Sequence, residues 1–504
     1  MIPVVSVETM RNSDKAEIER GASGKTLMMR AGKAIANAVD FHGKIAIVCG
    51  TGNNAGDGYV LALELCEKST LSCVLFLTEN KFSTDGKFYF DKCIERNLPY
   101  EYIDKNTDLT EFDYIVDCLF GTGFHGKIND FNSLIIDKIN NSNAIIVSVD
   151  TNSGLNGDNG LCDKAVKSNI TISIGTYKTG HFLGMAKDYI KSLKNVDIGI
   201  PIIGEKFFLA EESDFASFVE ERKNYSHKGT YGTAIIAGGC ANYCGAVKLA
   251  ASSLAALKSG CGLSRVVVPK SIMPSVAAEI KESTLFPLSD KNGEMKFKKK
   301  ELAAALCGAS AMAIGMGWGK GKNNRKILDY VLHNVCSPVI IDADGLNVLA
   351  ENKDLIVDKK CVTVLTPHVG EAARLLGKTR AEILSDPVAA SKSLAIDYSS
   401  IVALKGAATI ITDGKRVVVS NTGCAGMATA GSGDVLSGIL VGVLAQNHQN
   451  MLLSVAYATY INGLAGEFAQ KEKTDICMTS ADTVTKIPDA VIYLRERVTG
   501  VRSV

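Results

Sequence analysis

Apolar residues along this chain come in short continuous runs, separated by longer stretches where they recur every third or fourth place. In the first part of the chain KIAIVCG (44–50), DYIVDCLFG (113–121) and AIIVSVD (144–150) read as buried strands, each leading into a glycine-rich or acidic loop. LMMRAGKAIANAVD (27–40) places Leu27, Ala31, Ile35 and Ala38 on one face of a helix. The rhythm breaks over 198–229, where a proline precedes a charged stretch, and roughly 205–225 reads as a linker. It restarts with GTAIIAGG (232–239), LSRVVVP (263–269), AMAIGMG (311–317), PVIIDADG (338–345) and VTVLTPH (362–368), with helical segments such as 245–260 between them. Strands alternating with helices predict α/β architecture with largely parallel sheets, in two domains expected at 1–210 and 222–500. Ligands of such sheets bind beyond the carboxyl ends of the strands, and nearly every unusual loop of this chain lies at one.

Composition narrows the functions. Lys plus Arg number 55 and Asp plus Glu 54, so no overall charge draws the chain to nucleic acid or to a membrane surface, and neither is expected as a partner. MIPVVSVETMRNSDK lacks the regions of a signal peptide, and no uncharged apolar run reaches the roughly 18 residues of a membrane span. The 14 cysteines show neither a CxxC pair nor zinc spacing and read as reduced thiols. A soluble, cytoplasmic protein is expected.

Three loops of the first half carry candidate chemistry. CGTGNNAGDGYVLA (49–62) runs strand, glycine-rich loop, helix, without matching G-x-G-x-x-G, because Asn53 and Asn54 occupy its middle and Asp57 precedes the last glycine. Amides and free N–H groups at a helix start suit a phosphate or a ribose, although a tight strand-to-helix turn needs the same residues. Asp117 (in DCLFGTGFHGK, 117–127) and Asp150 (in VDTNSGLNGDNG, 149–160) end two further strands. With the side-chain oxygens of Asn54 and Ser153 they suit a hard cation; alternatively one of them is a base, or each caps the next helix.

Taken together these loops resemble the NAD(P)H-hydrate epimerase domain, over essentially all of 1–205, with LMMRAG (27–32) and IGTYKTGHFLG (174–184) falling at that family's early helix and late loop. The resemblance implies a Rossmann-like three-layer fold. It implies substrate binding by Asn53, Asn54, Ala55, Gly56 and Asp57 and by Gly121, Thr122, Gly123, Phe124, His125, Gly126 and Lys127, with Asp150 as base, and potassium held by Asn54, Asp117 and Ser153. Two positions depart from the family: Asn152 stands where a proline is usual, and Met29 where a glutamate is.

In the second half, TAGSGDVLSG (429–438) sets glycines before an apolar helix, a seat for an anion, yet places Asp434 at its lip. An aspartate there is either a plain N-cap or a base. HKGTYGTAIIAGG (227–239), NYCGAVKLAASSLAALKSGCGL (242–263), IGMGWG (314–319), DADGLN (342–347), LTPHVGEAARLL (365–376), LKGAATIITDG (404–414) and NTGCAGMATAGSGDVLSG (421–438), in this order, resemble the ADP- or ATP-dependent NAD(P)H-hydrate dehydratases of the ribokinase-like superfamily, over about 225–495. That resemblance implies a ribokinase-like α/β domain in which Asp434 takes the proton from the hydroxyl that attacks phosphorus. It implies nucleotide binding by Lys405, Gly406, Ala407, Ala408, Thr409 and Gly433, and substrate contact by Ala246, Gly317 and His368. Asp342 and Asp344 either order Mg²⁺ or cap. Ala430, Cys424 and Cys240 depart from the usual residues.

Joined, the resemblances imply repair of hydrated nicotinamide cofactors, NADHX and NADPHX. An epimerase interconverts the R and S forms at C6, and a dehydratase phosphorylates the C6 hydroxyl of the S form so that it leaves. ADP or ATP, Mg²⁺ and K⁺ are the expected cofactors, and a homo-oligomer the expected state. Two rivals remain: a kinase of a vitamin precursor or small sugar fused to a nucleotide-binding domain, and a first half retained only for binding.

Overall fold

The computed structural model describes residues 1–67, 71–124, 126–252, 258–446 and 449–500. The chain forms two compact units, Pro3–Phe207 and a second that takes in everything from Phe208 together with Met1–Ile2.

In the first unit seven strands form a parallel sheet in the order Tyr100–Tyr102, Ser72–Leu77, Lys44–Cys49, Tyr114–Cys118, Ile145–Val149, Ile170–Ile174, Leu193–Val196. Both faces of this sheet are covered, which is why its strands are continuously apolar rather than alternating. Ile45, Ile47 and Cys49 enter one core with Ile35 of the helix Gly24–Ala38 and Leu61 of the helix Asn53–Cys66; Ala46 and Val48 enter another with Ile135, Ile136 and Ile139 of the helix Asp130–Asn140. Cys49 pairs with Cys118 and Asp117 with Ser148, so three acidic or glycine-rich loops leave one edge of the sheet side by side. Gly50 lets two of them close: a Cβ there would lie 2.0 Å from the Leu119 carbonyl oxygen.

In the second unit a parallel run Thr284–Leu288, Leu263–Pro269, Thr233–Ala237, Ala311–Ile314, Val339–Ile341, Thr363–Leu365, Ile401–Leu404 continues through the antiparallel strands Thr409–Thr412 and Val417–Ser420. Helices Ser432–Leu444 and Met451–Cys477 pack on it through Val435, Ile439, Val455 and Ile461. The α/β expectation holds for both halves.

Several strands are shorter than the apolar runs that foretold them. The run 113–121 is a strand only over Tyr114–Cys118, because Leu119 and Phe120 leave the ladder to line a cavity, where Phe120 stacks on Phe124 at 4.6 Å. The run 338–345 is a strand only over Val339–Ile341 and a helix begins at Asp344. The stretch read as a linker contains the strand Phe207–Leu209, paired in parallel with Val417–Ser420, and a 3₁₀ turn, Glu212–Phe218, whose Phe215 is buried in the core of the second unit. The acidic residues around Phe215 and Phe218 masked this apolar spacing.

Candidate active sites

At the carboxyl edge of the first sheet lies a cavity of about 700 Å³. Asn53, Asn54 and Asp57 line it from the helix start, Gly121, Thr122, Gly123 and Phe124 from the next loop, and Asp150 from the third. The other described residues foreseen for substrate in these loops do not line it. Ala55 is 1% exposed, and a Cβ on Gly56 would meet Met28 Cε at 2.4 Å, so both turn into the core and offer the cavity only the N–H groups of the helix's first turn. Gly126 borders a smaller hollow beside Ile128, Lys127 is exposed, and His125 falls outside the described residues.

Asp150 has φ of 63°, a left-handed conformation that is costly for a side chain with a Cβ. Its surroundings hold it there. Its Oδ1 accepts from the Ile174 N–H at 3.2 Å and takes the ammonium of Lys178, and its carbonyl meets His181 Nε2 at 2.8 Å. Lys178 is 1% exposed and also donates to the Ile174 carbonyl at 2.8 Å. Burial, then the charge of Lys178, lowers the His181 pKa to about 4, so this ring is neutral and orients the loop without adding charge. The sequence reading missed Lys178; its only sign is a lysine closing the apolar strand end of IGTYKTG.

Asp117, Asn54 and Ser153 do converge. The Ser153 hydroxyl donates to Asp117 Oδ1 and accepts from the Phe120 N–H at 2.9 Å, while Asn54 Nδ2 donates to the Phe120 carbonyl at 2.9 Å. Ser148 Oγ and the Ser153 N–H donate to the other oxygen of Asp117 at 2.9 Å each, and the Leu119 N–H adds a longer bond to Oδ1 at 3.3 Å. Asp117 is fully buried and no described cation pairs with it; burial pushes its pKa up against the pull of these hydrogen bonds. Asn54 Oδ1 is buried without a hydrogen-bond partner. An uncompensated buried carboxylate beside an orphaned amide oxygen, a hydroxyl and a carbonyl fits a hard monovalent cation. The unusual Asn152 fixes the same loop: its amide donates to the carbonyls of Val166 (2.8 Å) and Tyr189 (3.1 Å).

In the second unit the site grows from four strand ends. Lys405 follows the strand Ile401–Leu404 and opens the tight turn Gly406–Ala408, after which Thr409 begins the returning strand; Ala408 is buried in that turn and Ala407 is exposed. Lys405 Nζ reaches Asp342 Oδ1 at 3.0 Å, and Ser437 Oγ donates to Asp342 Oδ2 at 2.8 Å. Burial opposes the charge of Lys405, but Asp342, Glu371 and Asp434 outweigh it and raise its pKa. The helix Ser432–Leu444 starts directly over this pair: a Cβ on Gly433 would lie 3.2 Å from Lys405 Nζ and 3.6 Å from Asp342 Oδ2. Asp434, in the first turn, makes no hydrogen bond or ion pair with a described residue, and burial, followed by the charge of Asp342, raises its pKa to about 7.

Gly317 (φ 62°) and Ala246 are brought together, since a Cβ on the glycine would lie 3.0 Å from the alanine's and 2.3 Å from the Tyr243 carbonyl oxygen. Asp344 opens the helix Asp344–Glu351 without capping it: its carboxylate accepts from the Gly319 N–H of a neighbouring loop at 2.7 Å and from Asn347 Nδ2 at 3.2 Å. Between the two aspartates Ala343 is held at φ 50°. His368 caps its own helix, with Nδ1 accepting from the N–H groups of Gly370 (2.9 Å) and Glu371 (3.2 Å). The neutral ring therefore carries its proton on Nε2, which lies 3.6 Å from Glu371 Oε1 on a side chain about half exposed to the solvent. Burial, then Lys405, Arg374 and Arg380, keep that ring below its usual pKa.

Comparisons with known proteins follow the same division. The profile of the NAD(P)H-hydrate dehydratase family matches residues 234–489, and that of the YjeF-related protein N-terminus matches 24–180. Proteins described as bifunctional NAD(P)H-hydrate repair enzyme Nnr align along nearly the whole chain. That of Thermofilum pendens is 31% identical, covering 98% of this chain and 97% of its own length; that of Archaeoglobus fulgidus is 32% identical, covering 94% and 95%. Among solved structures, the ADP/ATP-dependent NAD(P)H-hydrate dehydratase of Bacillus subtilis, co-crystallized with ATP/Mg²⁺, superposes on 57% of this chain and 99% of its own with a TM-score of 0.50 at 25% identity. A ribokinase-like superfamily protein of Enterococcus faecalis shares the fold at a TM-score of 0.50 and 23% identity.

Proposed function

Because the chain belongs to the bifunctional NAD(P)H-hydrate repair enzymes, with an epimerase domain followed by a dehydratase domain, we propose that Asp150 and Asp434 are the bases of its two reactions. The epimerase half is assigned to 1–210 and the dehydratase half to 222–500.

In the dehydratase half the C6 hydroxyl of the S hydrate lies against Asp434, with the dinucleotide reaching Ala246, Gly317 and His368. Lys405, the turn Gly406–Ala408, Thr409 and the N–H of Gly433 receive the phosphates of ADP or ATP. Asp434 accepts the hydroxyl proton as phosphorus is attacked, and Lys405 neutralises charge gathering on the phosphoryl oxygens. Phosphate then leaves C6 with the C6–O electron pair, C5 gives its proton to solvent, and the C5–H electrons form the C5=C6 bond that restores the dihydropyridine. Mg²⁺ carried in with the nucleotide would shield the charge of its phosphates. Both carboxylates of Asp342 and Asp344 are engaged within the chain, which supports delivery of the ion mainly by the phosphates and water.

In the epimerase half Asn53, Asn54, Asp57 and the loop Gly121–Phe124 hold the substrate against Asp150. Potassium held by Asn54, Asp117 and Ser153 would compensate the buried Asp117 and fix the two substrate loops to each other. The substrates are soluble cofactors, which supports a cytoplasmic place of work.

The observation that carries the assignment is the buried carboxyl of Asp434, without a hydrogen-bond or ion-pair partner among the described residues, above the Lys405–Asp342 pair. Asp434→Asn is expected to lower the nucleotide-dependent rate by roughly 10²–10⁴ while ATP still binds. Full activity in that variant would remove the base.

A further inference from the structure

The first cavity holds more acid than a single base needs. The helix Val7–Glu19 turns Met10, Arg11, Asp14 and Ile18 toward it, a spacing that keeps one helical face on the cavity. Asp14 forms no hydrogen bond or ion pair with any described residue. The charged groups on the cavity wall are Arg11, Asp14, Asp57, Asp85, Asp150 and Lys178, and the ammonium of Lys178 is already committed to Asp150. A dinucleotide's phosphates gain nothing from this excess of carboxyl groups. A cation formed on the ring would.

We propose that Asp14 is the proton donor of the epimerase half, and that epimerisation runs by loss and return of water at C6 through a cationic ring. The inference rests on the assignment of Asp150 as base. Asp14, as the carboxylic acid, gives its proton to the C6 hydroxyl; the C6–O bond breaks, water departs, and the N1 lone pair forms an N1=C6 iminium. Water then adds to C6 from the other face and gives a proton to the Asp150 carboxylate, and N1 regains its lone pair. One proton has passed from Asp14 to Asp150 and returns through solvent, while the reverse epimerisation uses the two groups in exchanged roles. Nothing is oxidised or reduced. Asp14 and Asp150 stand on different elements, a helix face and a strand end, as attack on two faces of one ring requires. The iminium charge is met by the carboxylates it leaves behind.

The proton inventory agrees. Burial, opposed by Lys178 and aided by Asp150, raises Asp14 to about 6, near the range where a donor works at neutral pH. Asp57, at the start of the helix Asn53–Cys66, is likewise held above its ordinary value by burial, then by Asp150 and Asp14.

The test uses the full-length protein and purified R-NADHX in oxygen-18 water without nucleotide, following the R/S ratio and the mass of the S product. Wild type is expected to yield S-NADHX carrying one solvent oxygen. Asp14→Asn should slow this by roughly 10²-fold or more, Asp14→Glu should recover part of it, and both should dehydrate S-NADHX at the wild-type rate, which shows that the chain is folded. The wild-type loss of epimerase rate as pH rises above about 6 should vanish in Asp14→Asn. Wild-type exchange in Asp14→Asn, or an S product that retains its original oxygen through ring opening, would overturn the proposal. Asp150→Asn separates the two assignments. If it alone exchanges normally, the base falls and Asp14 stands; if it is dead while Asp14→Asn is normal, Asp14 falls.

Discussion

Asp150 and Asp434 look alike as residues in the sequence, each an acid in a glycine-containing loop at a strand end or helix start, yet their surroundings separate them. Asp150 is ion-paired to a buried lysine, whereas Asp434 has no partner and is raised to about 7. For Asp434 the folded protein holds the proton more tightly than the unfolded chain, whose carboxyl titrates near 3.8. Stability therefore falls as pH climbs from about 4 to about 7, and the penalty is fully present above that. Calorimetry of the nucleotide-free protein at about pH 8 should show Asp434→Asn with a higher Tm than wild type, while wild-type dehydratase kcat/KM falls as pH drops below about 7. Lys178→Met should destabilise the first unit by about 2 kcal/mol in chemical unfolding, because the half-buried Asp150 carboxylate loses its cation, and should abolish epimer exchange while S-NADHX is still dehydrated. The acids at strand ends were legible from sequence because a loop beyond a parallel strand is where chemistry is done. Lys178 and Asp14 were not: one closes an apolar strand, the other sits on a helix whose polar face reads as solvated, and only the tertiary fold turns them into the cavity.

Elements were legible in kind and less so in extent. Apolar runs marked the strands ahead of Asp117, Asp150, Asp342 and His368 but not Ile170–Ile174 or Ile401–Leu404, and they overran at Leu119–Phe120 and at Asp342–Gly345, where residues that continue the strand pattern instead line a cavity or start a helix. The strand Phe207–Leu209 escaped notice because three residues flanked by charge carry too little periodicity. Asn152 shows how a departure from a family pattern can be absorbed: side-chain hydrogen bonds to Val166 and Tyr189 replace the stiffness a proline would give. At the helix start Ser432–Leu444, Gly433 has an ordinary φ, so alanine there brings no backbone strain and meets only Lys405 Nζ at 3.2 Å and Asp342. Gly433→Ala is expected to leave Tm nearly unchanged and to raise the KM for the nucleotide roughly tenfold, as a displaced charge-assisted contact of about 1.4 kcal/mol would. An unaltered nucleotide KM would detach Lys405 from phosphate binding.

At the scale of the whole molecule, two compact units correspond to two family profiles and two chemistries. The pairing has a chemical reason, since a dehydratase that accepts one epimer strands the other unless something interconverts them. A kinase of an unrelated small molecule would need no such partner and would release a stable phosphate ester. The most direct measurement supplies the full-length protein with a mixture of R- and S-NADHX, adds Mg²⁺ with ADP or ATP, and follows the near-ultraviolet absorbance of the dihydronicotinamide. Conversion of both epimers to NADH, with phosphate released and faster than spontaneous exchange allows, is the predicted result, and it identifies the nucleotide. Arrest after one epimer is consumed would contradict the epimerase, and no nucleotide-dependent gain in absorbance would contradict the role given to Asp434.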